Sequence, residues 1–366
     1  MTTYLLAGGG TAGHVNPLLA VADRLRERDP QAQVLVLGTA EGLEARLVPA
    51  RGYELLTIEK VPFPRRPNGA ALRFPSRFRR SIAEVAAMIA ERGVDAVVGF
   101  GGYVATPAYL AARRAGVPVV IHEANARPGL ANRLGARFAA RVGVAFHETP
   151  LPRAEFVGMP LRREIEALDR AARRAEAAAM FGLDPARPVL LATGGSLGAR
   201  RINRTMVESA AVLVATGWQV LHVTGAKSDV SDPGLPDYRM VDYADRMDLA
   251  LAIADAAVSR AGAATVSELS ALGVPAVYVP YPVGNGEQRF NAADVVAAGG
   301  GILVDDAAFL PEWVVRELVP LLADRERLAA MARAAASVGA LDGTDRTVAL
   351  IDAALRPDGG APRAGA

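Results

Sequence analysis

The chain has 366 residues, half of them apolar (51%) and 22% charged, with 41 basic side chains against 39 acidic ones. That length suggests two domains, and the apolar share excludes wholesale disorder. A net charge of +2 gives no global reason to expect a nucleic-acid partner. Without cysteine there can be no disulfide, thiolate nucleophile or thiolate metal site. Only Lys60 and Lys227 are lysines, so placement of the arginines decides where positive charge matters.

In chain order, the first segment is an apolar strand (Tyr4–Ala7), a glycine loop (Gly8–Gly13) and a helix from about Asn16 to Arg28. Its apolar run is too short and its start too uncharged for a signal peptide, which suggests a soluble cytoplasmic protein. Strands are expected at Gln33–Leu37, Ala96–Phe100 and Val117–His122, with helices at Ser81–Arg92 and Thr106–Ala115 between them. The uncharged stretch from Ala96 to Ala112 contains three glycines and Pro107, so it reads as strand, loop and helix start rather than a membrane span.

After a proline-rich break, Val189–Thr193 repeats the opening pattern, with the loop Gly194-Gly195-Ser196-Leu197-Gly198 and a helix from about Arg200. Further strands are expected near Trp218–Thr224, Ala256–Ser259 and Ala276–Pro280. Alternating strands and helices in two halves predict an α/β chain of two Rossmann-like domains facing a cleft. The expected boundaries are residues 1–160 and 161–342, with a last helix at 343–357 returning to the first domain. The Gly/Pro/Ala-rich tail is expected to fray.

Gly8-Gly9-Gly10-Thr11-Ala12-Gly13 satisfies the G-x-G-x-x-G fingerprint of dinucleotide sites. That fingerprint also needs an acidic residue ending the second strand, whereas the first carboxylate there, Glu41, lies beyond the turn. What survives is more general: glycines let backbone amides approach an anion at a helix N-terminus. A tight turn with no ligand is the other reading. Two further loops, Gly99-Phe100-Gly101-Gly102-Tyr103 and Gly194–Gly198, also follow apolar strands. No lysine follows any of the three, which argues against a P-loop.

Taken in order, these loops together with His14-Val15-Asn16-Pro17, His122-Glu123-Ala124-Asn125, Ser259–Glu268 and Glu287-Gln288-Arg289-Phe290-Asn291 span nearly the whole chain. The set resembles the MurG family of peptidoglycan glycosyltransferases. The resemblance implies a GT-B architecture and inverting transfer of N-acetylglucosamine from UDP-N-acetylglucosamine to lipid I, giving lipid II. It implies an acceptor domain at the N-terminus and a UDP-sugar domain after it. Other UDP-sugar transferases and a UDP-N-acetylglucosamine 2-epimerase are the alternatives.

By the same resemblance, the donor contacts are Thr11, Ala12, Gly13, Asn125, Arg162, Ser196, Ala244, Ala263, Ala264, Thr265, Val266, Ser267, Glu268, Gln288 and Asn291. Within this set the amides of Ala264 and Thr265 face the diphosphate and Glu268 accepts the ribose hydroxyls. Ala244 serves uracil by its backbone; Gln288 and Asn291 hold sugar hydroxyls. The acceptor diphosphate is expected at Gly10, Gly13, Gly101, Gly102 and Tyr103. The family often has glutamine at the positions of Leu197 and Glu287, and glycine at that of Ala12, which must then keep an allowed backbone angle.

Transfer needs a base for the acceptor proton and stabilisation of the departing diphosphate. The four histidines are His14, His122, His147 and His222, scattered without metal-ligand spacing, and no Asp-x-Asp occurs. Neither a metal nor a cofactor is expected, the helix start near Thr265 taking the place of a cation. His14, ending a glycine loop, is the expected base, or else a hydrogen-bond donor without base function. Glu123 is the rival base or a structural carboxylate; His147 and His222 read as structural.

Between Val61 and Ala83 there are six arginines and no acid. Arg65, Arg66, Arg73, Arg77, Arg79 and Arg80 alternate with Phe63, Phe74 and Phe78, with Leu72 and Ile82 nearby. Prolines 62, 64, 67 and 75 predict a loop before a helix from Ser76. Such a segment suits an anionic membrane surface, hence a peripheral protein on the cytoplasmic face of the membrane. A solvated loop whose phenylalanines pack on the domain is the alternative.

Overall fold

A computed structural model describes residues 1–61, 64, 69–195, 198–283 and 286–356, the side chains of residues 70 and 71 excepted. The chain forms two compact α/β units, one of Met1–Pro160 joined by the stretch that begins at Asp342, the other of Leu161–Leu341.

The first unit carries strands β1 (Thr3–Gly8), β2 (Gln33–Gly38), β3 (Glu54–Thr57), β4 (Ala96–Gly101), β5 (Val119–Glu123), β6 (Arg141–Val144) and β7 (Ala154–Phe156). They make one parallel sheet in the order β3-β2-β1-β4-β5-β6-β7. Because helices cover both faces, the central strands β1, β2 and β4 are apolar along most of their length, and the pleat sends alternate residues to opposite cores. Leu5, Ala7, Leu35, Leu37 and Val97 enter one cluster; Tyr4, Leu6, Val34, Val36 and Val98 enter the other.

Connecting helices include α1 (Ala12–Arg28), α2 (Glu44–Ala50), α3 (Gly69–Arg92), α4 (Ala105–Ala115) and α5 (Leu130–Gly135). The helix Gly343–Leu355 joins the second cluster through Val348, Leu350 and Ile351. Ion pairs from Arg24 to Asp345 and from Arg28 to Asp352 (2.8 Å) fix its outer face to α1.

Helix α3 corrects the expected start at Ser76. It begins at Gly69 and contains Pro75, whose position is exposed. A proline close to a helix start removes one amide hydrogen bond, and on the exposed side water satisfies the carbonyl it leaves.

The second unit carries β8 (Val189–Thr193), β9 (Gln219–Val223), β10 (Tyr238–Val241), β11 (Ala256–Ser259), β12 (Ala276–Tyr278) and β13 (Gly301–Leu303). They too are all parallel, in the order β10-β9-β8-β11-β12-β13. In each sheet the strand order reverses once, between β1 and β4 and between β8 and β11. Ligands of open α/β sheets bind outside the carboxyl ends of the strands at that reversal.

Candidate active site

At the reversal in the first unit the two glycine loops meet. Gly8 pairs with Gly101 across a register shift, and a Cβ on Gly102 would lie 2.7 Å from the carbonyl oxygen of Gly9. Gly101 has φ +95°. A Cβ there would stand 3.2 Å from the Nε2 of His14, so a glycine is required by conformation and by space.

His14, the third residue of α1, is half-buried. Its Nδ1 lies 3.1 Å from the Gly9 carbonyl oxygen and 3.3 Å from the Thr11 hydroxyl. A carbonyl only accepts, so Nδ1 carries the hydrogen, and the neutral ring presents the Nε2 lone pair.

Thr11 caps α1 with its backbone alone, and its carbonyl receives the amides of His14 and Val15 at 3.1 Å. The amides of Ala12 and Gly13 are the remaining donors of that helix start. Ala12 opens the helix with negative φ; among the described residues Arg153 is the only non-glycine with positive φ.

The Gly10 amide donates to the carboxylate of Glu44 at 2.8 Å. Glu44 was not foreseen as a site residue. Lys60 and Tyr103 line a cavity of about 270 Å³ in this unit together with Gly9, Gly10, Thr39 and Glu44. The Lys60 ammonium sits 5.5 Å above the half-exposed ring of Tyr103.

Glu123, at the end of β5, is buried and engaged on both oxygens. It accepts from the amides of Asn125 (2.9 Å) and Gly129 (3.0 Å) and from Asn132 Nδ2 (2.9 Å). Burial pushes its carboxyl up from the ordinary range, against these donors and the nearby His14. A carboxylate so occupied shapes the loop into α5. Asn125, half-buried, also turns its Nδ2 to Glu123 at 3.4 Å.

His122 and His222 are core residues. His122 donates through Nε2 to the Gly158 carbonyl (2.9 Å). His222 lies between the Tyr238 hydroxyl (2.8 Å) and Asn203 Oδ1 (3.1 Å). His147 stacks on Phe156 with ring centres 3.7 Å apart.

In the second unit the helix Ala263–Ala271 starts just past β11, with Gly262 as a cap that offers no side chain. Val266 is the first residue whose amide is paired there, to the Gly262 carbonyl at 2.9 Å. The amides of Ala263, Ala264 and Thr265 therefore point out of the helix start as anion donors. The Val266 side chain is in the core, and its amide is the one paired to Gly262. Ser267 is buried as well, facing inward by the helical period.

Glu268, one turn into this helix, is mostly buried, and Arg162 approaches it at 3.4 Å. Burial pushes its carboxyl up from the ordinary range, opposed by the Arg162 guanidinium. Ala244 is buried after β10, so only its backbone can serve a ligand. Gln288 accepts from the Tyr281 amide at 2.8 Å, and buried Asn291 donates to the Ala261 carbonyl at 3.3 Å. These two side chains hold the neighbouring loops, a task not foreseen for them. Arg260, also unforeseen, is nearly buried, pairs with Asp306 at 2.6 Å and donates to the carbonyls of Val279 and Pro280. Ser196 lies outside the described residues.

Two family models match the chain: the glycosyltransferase family 28 N-terminal domain over residues 4–144 and the C-terminal domain over residues 189–347. A UDP-N-acetylglucosamine--N-acetylmuramyl-(pentapeptide) pyrophosphoryl-undecaprenol N-acetylglucosamine transferase of Leifsonia xyli subsp. xyli is 70% identical over 355 residues, covering 97% of this chain and 99% of the relative. The chain belongs to the MurG family of glycosyltransferases. The crystal structure of Acinetobacter baumannii MurG matches with TM-score 0.78 and 29% identity, over 96% of this chain and 99% of that one. A putative UDP-N-acetylglucosamine 2-epimerase from Listeria monocytogenes matches at TM-score 0.67 and 14% identity over 96% of each chain, a likeness of fold alone.

Of the basic segment, Phe63, Arg65 and Arg66 lie outside the described residues. On α3, Arg73, Arg79 and Arg80 are exposed, and Leu72 is 85% exposed. Arg77 is paired with Glu59 at 2.6 Å. Phe74 and Phe78 stack at 5.3 Å, and Phe78 packs on the core, so this ring is not free to enter a bilayer. Among the described residues no helix is long and apolar enough to cross a membrane.

Proposed function

We propose that the chain transfers N-acetylglucosamine from UDP-N-acetylglucosamine to the muramoyl hydroxyl of lipid I, with inversion at the anomeric carbon. The observation that carries the chemistry is the hydrogen bond from His14 Nδ1 to the Gly9 carbonyl, which leaves Nε2 as the accepting nitrogen of the neutral ring. In the reaction, the acceptor oxygen forms the new bond to the anomeric carbon as its proton passes to Nε2. The bond from that carbon to the UDP diphosphate breaks, and the diphosphate takes the electron pair.

The departing charge is met by the amides of Ala263, Ala264 and Thr265 and by the positive end of their helix. Glu268 accepts from the ribose hydroxyls, and Ala244 serves uracil through its backbone. The amides of Ala12 and Gly13 and the backbone around Gly101 and Gly102 receive the acceptor diphosphate. Arg73, Arg79, Arg80 and exposed Leu72 support binding to the anionic cytoplasmic face of the membrane, where a lipid-linked acceptor resides.

The test is transfer of radiolabelled sugar to a short-chain lipid I analogue by the native protein, His14→Ala and Glu268→Ala. Labelled product from the native protein, with kcat lowered 100-fold or more in His14→Ala, is expected, as general-base removal costs about 10²–10⁴. No labelled product from the native protein contradicts the proposal. Near-native turnover by His14→Ala contradicts the base assignment alone.

A further inference from the structure

Glu44 is the first residue of α2, fully buried, and 34 positions from the loop it touches. One carboxylate oxygen accepts from the Gly10 amide at 2.8 Å; the other accepts from the Thr39 amide (3.0 Å) and the Thr39 hydroxyl (2.8 Å). Gly9 and Gly42 close around it, and a Cβ on either would run into the carboxyl group. Burial opposes ionisation here, but the Gly10 and Thr39 donors outweigh it and hold the carboxyl below the ordinary range. Nothing in the transfer chemistry uses this buried charge directly.

The Gly10 amide and the Gly9 carbonyl are two ends of one peptide group. A trans peptide is planar and points its N–H and C=O in opposite directions. Fixing the Gly10 N–H on Glu44 therefore fixes the Gly9 oxygen on the far side, where it receives His14 Nδ1 at 3.1 Å. The loop around this peptide is glycine-rich and, without such an anchor, free to rotate it, Gly10 standing at φ +87°. A flipped peptide would turn its N–H toward His14, and Nδ1 would then have to accept.

We infer that Glu44 is a positioning residue that sets the tautomer of His14 through the single Gly9–Gly10 peptide group. The arrangement does the work of a carboxylate hydrogen-bonded directly to a catalytic imidazole, with one peptide inserted. A carboxylate is needed because it must accept from Gly10 and from Thr39 at once. A glutamine has one accepting oxygen, and its NH₂ would face one of those donors. The inference rests on His14 acting as the base, but its test reads the ring itself.

The experiment is ¹⁵N spectroscopy of the histidine rings in the full-length protein above pH 8, with His14 assigned by its disappearance in His14→Asn. The native ring is expected as the Nδ1–H tautomer. Glu44→Gln is expected to shift it toward Nε2–H and to lower kcat about tenfold or more, with KM for UDP-N-acetylglucosamine within twofold, the size usual for a group that orients a ligand. A native Nε2–H ring overturns the inference, as does a Glu44→Gln protein with unchanged tautomer and kcat. If Glu44→Gln does not fold, the native tautomer alone decides. Failure of the base reading is seen separately, as near-native turnover in His14→Ala while the native ring is still the Nδ1–H tautomer.

Discussion

Arg162 and Glu268 stand 3.4 Å apart, the guanidinium touching a carboxylate that burial disfavours. The carboxyl is raised in the folded protein, so its stabilising contribution is present below the unfolded value near 4 and is lost as pH rises through the folded one. At neutral pH its charge comes at a cost in stability, which the proposed ribose contact would explain. Glu268→Gln is expected to be more stable than the native protein at pH 7, with the gain vanishing near pH 4. The same change is expected to raise KM for the donor 10–100-fold, as two bonds to a charged acceptor are lost. Thermal unfolding at the two pH values and donor kinetics check both; a variant less stable at pH 7 contradicts the account.

Gly101→Ala combines a φ of +95° with a Cβ at 3.2 Å from His14 Nε2. The strained backbone is expected to cost about 1–3 kcal/mol. The displaced imidazole is expected to lower kcat more than tenfold, since small misplacements at a reacting centre are costly. Urea unfolding and steady-state kinetics give the two numbers.

His122 and His222, one in each unit, are pushed down to about 4 by burial. The unfolded chain takes protons near 6.5 that the folded rings refuse, so stability present above that pH drains away as pH falls toward 4. By pH 5 each histidine is expected to remove about 2 kcal/mol relative to pH 8. Denaturant unfolding at pH 8 and pH 5, with ring signals followed by NMR, checks this. Protonation of either ring above pH 6 in the folded protein contradicts it.

Arg73, Arg79 and Arg80 project from α3 into solvent. Replacing all three with glutamine is expected to weaken sedimentation with anionic vesicles on the order of 100-fold, about fivefold per charge. Binding by the native protein is expected to fall with added salt. Equal binding to neutral vesicles contradicts an electrostatic membrane face.

Much of this was legible in the sequence because both sheets are buried on two faces. Runs such as Leu35-Val36-Leu37 and Val189–Ala192 announce parallel strands, and the glycines after them announce the ligand edge. The strands not foreseen, β3, β6, β7, β10 and β13, are three or four residues long, and most carry half-buried positions with no continuous apolar run. Val266 belongs to the donor motif by its sequence position, and the helical period that turns its side chain into the core shows only in the fold. Glu44 had no local signal: its partners Gly10 and Thr39 come together only when β1 and β2 lie side by side. The arginine run between Val61 and Ala83 was plain from composition, but which arginines are paired, as Arg77 is with Glu59, needed the fold.

The most direct test of the central claim is the stoichiometry of UDP release against disaccharide formation, with and without a lipid I analogue. One UDP per labelled disaccharide is predicted, with no turnover of UDP-N-acetylglucosamine when the acceptor is withheld. Sustained release of UDP in the absence of acceptor, with no disaccharide on adding it, would contradict transfer and favour the epimerase-like alternative.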